Sequence, residues 1–125
     1  MNLNALKERV TSHPDYARVG MILCHNGVVR ETSRDGRPVS GLSIRIDRDR
    51  LAAVIAEAKR RPGIVEVLVE LADEDRFLAV GEDVMCLVVA GDVRERVIAC
   101  LTETLDAVKS TVTTKTEYYK DGDHE

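Results

Sequence analysis

Four basic side chains stand where structural elements should end rather than in the middle of a face. Arg30 follows an apolar run, Arg94 falls in the first turn of a helical pattern, Lys109 in its last turn, and Lys115 just beyond it. Cations gathered at one rim suit an anionic ligand. A lysine partly desolvated beside other cations has a lowered pKa and can then act as base or nucleophile. Each position also has a plain reading as a solvated charge, and a lysine near a helix C-terminus is favoured by the helix dipole with no further role. If the second long helix runs antiparallel to its neighbours, Lys109 and Lys115 can meet Arg30 at one rim. Arg94 lies about 22 Å away along the same helix at 1.5 Å per residue. A pocket using all four therefore needs a second subunit.

Other chemistry is thinly represented. His13, His25 and His124 lie in three separate places, so a histidine-based centre would need partners from across the fold; His25 reads as a polar residue at a strand end. Cys24, Cys86 and Cys100 form no CxxC pair and have no neighbouring histidine to complete a zinc set. Each sits in an apolar run, which predicts three buried free thiols, no metal site and a reducing compartment. The sequence contains no dinucleotide fingerprint, phosphate loop, HExxH or nucleophile elbow.

The elements that must hold the cations can be read from periodicity. Asn4 to Val10 is a short amphipathic helix ended at Ser12-His13-Pro14, because the residue before proline is driven out of helical geometry. Val19 to Cys24 reads as a buried strand that resumes at Gly27-Val28-Val29 after a polar break, with a bulge. Arg30 to Ser40 is an exposed basic loop, able to close over an anion. Leu42, Ile44 and Ile46 alternate with polar residues as a half-buried strand. Asp47 to Arg61 is a helix, acidic at its start, basic at its end and stopped by Pro62-Gly63. Ile64 to Leu71 is a β-branched strand, Phe77 to Val80 a short one, and Val84 to Ala90 a central one. From Asp92, a plausible N-cap, the second long helix runs to Lys109, and Lys115 to Lys120 forms a last strand before a disordered tail, 121–125. This order predicts a single α+β domain over 1–120, with helices packed on one face of a mixed or antiparallel sheet.

Composition narrows the function classes. The chain has 125 residues, 44% hydrophobic and 32% charged, which fits one domain with one core and neither a disordered acidic tail nor a membrane protein. A net charge of −4 argues against coating nucleic acid or anionic membrane, while leaving an anionic small ligand open. Aromatics at 3% and the absence of Trp leave little from which to build base-stacking platforms. The N-terminal residues carry no secretory or membrane-spanning pattern, which predicts a cytoplasmic protein.

Several motifs in linear order resemble the MoaE-type family, the large, catalytic subunits of molybdopterin synthase, from about Ser12 to Glu117. Ser12-His13-Pro14 resembles the entry to the family's first strand, and Gly27-Val28-Val29-Arg30 its Gly-x-Val-Arg at that strand's end. Val84 to Ala90 followed by Val93-Arg94 is similar to the strand and His-Arg pair that open its last long helix. Lys109 falls at its helix-terminal lysine, and Lys115-Thr116-Glu117 at its second lysine segment, Trp-Lys-Lys-Glu, with one residue deleted in between. Without that deletion, Thr116 takes the second lysine position. The chain departs from the family in having Val93 for the histidine, Val112-Thr113-Thr114 for a Pro-aromatic-Trp run, and a shortened insert after the second strand.

The resemblance implies an α/β hammerhead fold and a sulfurtransferase that needs no cofactor. Such an enzyme moves sulfur from the thiocarboxylated C-terminal glycine of a small, ubiquitin-like (MoaD-type) subunit to cyclic pyranopterin monophosphate. It further implies a homodimer at the centre of a heterotetramer. Lys109 and Lys115 would be the catalytic residues where the small subunit's tail enters, and Arg30 and Arg94, with Val93 and Glu117, would hold the substrate. Guanidinium forks suit phosphate oxygens. Two other readings remain: a noncatalytic MoaE-like dimer that binds a ligand or partner, and a ferredoxin-like regulatory domain that binds a small molecule.

Overall fold

The computed structural model describes residues 1–120; the expected disordered tail, 121–125, lies outside the described residues. The chain runs α1 (Leu3–Thr11), a 3-10 turn (Tyr16–Arg18), β1 (Met21–Val28), β2 (Val39–Ile46), α2 (Arg48–Lys59) and β3 (Ile64–Leu71). It continues through β4 (Leu78–Ala79), β5 (Asp83–Gly91), α3 (Arg94–Ala107), a π turn (Val108–Val112) and β6 (Thr113–Tyr119). The strands form two three-stranded sheets, β1-β5-β3 and β4-β2-β6. All their pairings are antiparallel, so the α+β class holds and the mixed-sheet alternative drops out. Two separate sheets also differ from the single sheet of a ferredoxin-like domain.

β5 is central, as its apolar run predicts. Residues Leu87, Val88, Val89 and Ala90 are all fully buried, which requires cover on both faces of the β1-β5-β3 sheet. Strand alternation divides the cover. Cys86, Val88 and Ala90 pack with Leu6 and Val10 of α1, whereas Leu87 and Val89 pack with Ala58 of α2 and with Val97 and Cys100 of α3. Helices therefore lie on both faces of the sheet, not on one. The short α1 pattern had no visible partner in the sequence, and the second face of β5 supplies it.

The elements begin and end for identifiable reasons. Asp47 caps α2, its side chain accepting from the Arg50 N–H. After α2 the chain reverses through Gly63 at φ +79, where a Cβ would strike the Asp92 carboxylate. Asp92 is not the N-cap of α3. That position belongs to Val93, with no side-chain cap, while Asp92 Oδ1 accepts from the Val93 N–H at 2.6 Å and its other oxygen from Arg96 at 2.9 Å. The expected bulge in β1 lies between Gly27 and Val28, but the strand passes through His25 and Asn26 without a break. Backbone pairing to β5 overrides the polar side chains there.

The cysteine expectation is only partly met. Cys86 and Cys100 are buried, and desolvation pushes both thiols above their usual range, but Cys24 is exposed. β1 is the edge of its sheet, so the apolar run around Cys24 is covered less than a central strand would be. A thiol-reactive disulfide reagent should accordingly label one cysteine per folded chain, Cys24, and all three after unfolding in guanidinium; fast native labelling of Cys86 or Cys100 would contradict this packing.

Candidate functional site

The two sheets meet along a seam filled by Leu42, Ile44, Ala72 and Leu78 on one side and by Val54, Met85, Val108 and Val112 on the other. At the rim of this seam a cavity of about 500 Å³ opens, with Lys109, Lys115, His25 and Arg34 in its wall. Its apolar floor comes from Leu42, Ile44, Leu71, Val84 and Met85. Among the described residues, no carboxylate lines it. A site of this volume, with apolar walls and a few convergent cations, suits a small anionic ligand or the end of an extended chain.

Local structure brings the two lysines together. α3 does not continue to Lys109 as a regular helix but widens into the π turn Val108–Val112, and β6 starts directly after it. Hydroxyls drive the change: Ser110 and Thr111 donate to the carbonyls of Asp106 and Ala107, and Thr113 donates to that of Val108. Such back-bonding competes with helix geometry, and π turns recur at functional sites. Val108 and Val112, both buried, anchor the turn and leave Lys109 between them at the surface. β6, paired to β2 with Lys115 opposite Ile44, then brings the second lysine to the same cavity. The last strand thus begins at Thr113 rather than Lys115, and the β-branched run is divided between turn and strand.

The other expected residues lie elsewhere. Glu117 is on β6, 3.7 Å from the Lys115 ammonium, and accepts from the Tyr119 hydroxyl at 3.3 Å, so it orients Lys115 from outside the cavity wall. Arg30 is exposed, donates through Nε to the Thr32 carbonyl at 2.9 Å and is not part of the cavity wall. The loop residue that reaches the wall is Arg34. Its loop is internally bonded: Ser33 N–H donates to the Arg37 carbonyl, Thr32 bridges to Pro38, and the Arg37 guanidinium lies 3.7 Å from the centroid of the Tyr119 ring. Arg94 and Val93 stand at the opposite end of α3, a 14-residue helix about 21 Å long. Both are exposed, and Arg94 pairs with its neighbour Glu95 at 3.3 Å.

His25 and Arg34 are cavity residues that the sequence did not single out. For His25 a signal existed. Met21 and Leu23 alternate with it on the β1 face that packs toward α3, so period-two counting aims His25 at the end of that helix. Arg34 had none beyond the basic character of its loop. His25 is half-buried, and its pKa lies below the usual value, first through desolvation and then through the Lys109 charge, both of which favour the neutral ring.

Two antiparallel sheets clasping a cavity lined by Lys109, Lys115 and Arg34 define an α+β domain with a basic cleft between its sheets. The chain belongs to the MoaE family, whose profile, described as MoaE protein, matches residues 1–111. A search of curated protein sequences gave no match. Among solved structures, the molybdopterin synthase of Staphylococcus aureus superposes with a TM-score of 0.80 at 17% identity, covering 100% of this chain and 90% of that one. The MoaE protein of Burkholderia ambifaria gives 0.75 at 21%, covering 100% and 81%. A complex of subunits 1 and 2 of the molybdopterin-converting factor of Helicobacter pylori gives 0.66 at 16%, covering 97% and 81%. At these identities the likeness is one of fold.

Proposed function

We propose that this protein is the large subunit of a molybdopterin synthase, a sulfurtransferase of molybdenum cofactor biosynthesis. Its substrate would be cyclic pyranopterin monophosphate, and its sulfur would come from the thiocarboxylated C-terminal glycine of a small ubiquitin-like subunit. The observation that carries this reading is the convergence of Lys109 and Lys115, from a π turn and the following strand, on one cavity that no described carboxylate lines, in a chain of the MoaE family. A lysine there can bind the thiocarboxylate tail as an anion and move protons, or attack the acyl carbon, as sulfur leaves. No cysteine of this chain is needed, because the sulfur arrives on the partner. No helix among the described residues is long and apolar enough to cross a membrane; the reaction is assigned to the cytoplasm.

The distance between Lys109 and Arg94 supports a homodimer in which Val93 and Arg94 of one protomer complete the cavity of the other, with two small subunits making a heterotetramer. Arg30 and Arg94 would then hold the phosphate and pterin. Reconstitution with a thiocarboxylated small subunit and cyclic pyranopterin monophosphate should yield the dithiolene product; a stable complex without turnover would instead indicate a noncatalytic relative. Mixed dimers carrying Lys109→Ala in one protomer and Arg94→Ala in the other should recover activity that either variant alone lacks, because one of their two sites is intact. Equal inactivity of the mixture would place both residues in a site within one protomer.

A further inference from the structure

His25 is unusual among the cavity's polar groups. Its Nε2 is shielded from solvent and has no hydrogen-bond partner among the described residues, a costly condition for a ring nitrogen. Gly27, the next residue on the same face, leaves the room: a Cβ there would come within 3.3 Å of Nε2. Across β5 the ring faces Leu87, which offers no polar atom. The charge that acts on the ring is Lys109 from the π turn; Lys115 from β6 and Arg34 from the β1–β2 loop share the cavity wall, to which, among the described residues, β2, β3 and β5 contribute only Leu42, Ile44, Leu71, Val84 and Met85. Asp83, the nearest acid along the strand pair, is engaged by Asn26 at 3.1 Å, and Asn26 points to the other face of β1. Glu117 is engaged by Lys115 and Tyr119.

We propose that His25 makes anion binding in this cavity proton-linked: the ring takes up a proton when an anion occupies the space between Lys109, Lys115 and Arg34, and becomes a further cationic ligand to it. Without an anion, a proton on this ring adds charge beside Lys109, in a cavity that already holds Lys115 and Arg34, and gains no acceptor among the described residues. An anion reverses both terms, because it offsets the cations and accepts from the imidazolium. Linkage then fixes the sign. In the free protein desolvation and the Lys109 charge hold the ring's midpoint below its usual place, and it rises on occupancy. Affinity for the anion therefore increases as pH falls through the occupied midpoint, and levels off below the free one. The inference rests on reading this cavity as an anion site, and it adds that the site prefers its ligand with a proton delivered to His25.

The full-length chain, isotopically labelled, tests this by NMR with sulfate as probe, since sulfate stays a dianion across the range. His25→Gln identifies the resonance. Saturating sulfate should raise the His25 midpoint by about one pH unit and, equivalently, tighten sulfate binding about tenfold from the alkaline to the acid plateau. In His25→Gln, sulfate should still perturb Lys109 while its affinity loses the pH dependence. An unmoved His25 midpoint at saturating sulfate would overturn the proposal, as would absence of any sulfate effect on the cavity or an unchanged pH dependence in the variant. The wild-type titration decides even if the variant folds poorly. A linked sulfate site in a protein that forms no dithiolene would sustain the role of His25 and sink the synthase reading instead.

Discussion

Replacing Lys109 with alanine should lower the rate of dithiolene formation by about 10²–10⁴-fold, the usual loss when a positioned proton-transfer group is removed, while leaving unfolding essentially unchanged. The two halves of the prediction come from one geometry. Lys109 is exposed between two buried anchors, Val108 and Val112, so removing its side chain opens no void in the core, and surface changes of this kind stay within about 0.5 kcal/mol. Lys109→Arg should not rescue, because a guanidinium cannot give up its proton. Lys115→Ala should be milder, since Glu117 at 3.7 Å already shares its charge. Single-turnover assays of the reconstituted enzyme distinguish the two lysines, and a Lys109→Ala enzyme that keeps the wild-type rate would remove the catalytic assignment.

The largest stability effect should come from Leu87→Ala. Leu87 is 0% exposed at the centre of the β1-β5-β3 sheet, opposite His25 on one side and Val69 on the other, beneath α2 and α3. No neighbour can close the resulting gap without moving a helix off the sheet. A loss of about 2–5 kcal/mol is expected, against a total of about 5–15 kcal/mol for a typical domain. Urea unfolding should show a lower midpoint at an unchanged slope; a shift under about 1 kcal/mol would mean that the sheet is less tightly covered than described.

These expectations depend on features that were unequally legible in the sequence. The order of elements was readable because each carries a strong local signal: β-branched runs for β3 and β5, a capped amphipathic pattern for α2, and Pro62-Gly63 for its end. The division into two sheets was not, since it depends on which strands pair across long stretches of chain, and β4 joins β2 rather than its sequence neighbours β3 and β5. Periodicity marks a buried face without naming what buries it, so α1 beneath β5 was invisible. The site divides in the same way. Lys109 and Lys115 were legible through position and family resemblance, and they do share a cavity. Arg34 was missed because its approach is tertiary, His25 because its alternation with Met21 and Leu23 was not followed past Cys24, and Cys24 was misjudged because an edge strand reads like a covered one.

The central claim is that the tail of the small subunit ends at Lys109 and Lys115. Carbodiimide coupling tests it without requiring turnover: activating the C-terminal glycine carboxylate of the bound small subunit joins it to whichever amine lies in contact. The chain carries five lysines, Lys7, Lys59, Lys109, Lys115 and Lys120. Peptide mapping should find the isopeptide bond at Lys109 or Lys115; a bond formed instead at Lys7, Lys59 or Lys120 would contradict the assignment of this cavity as the place where sulfur is delivered.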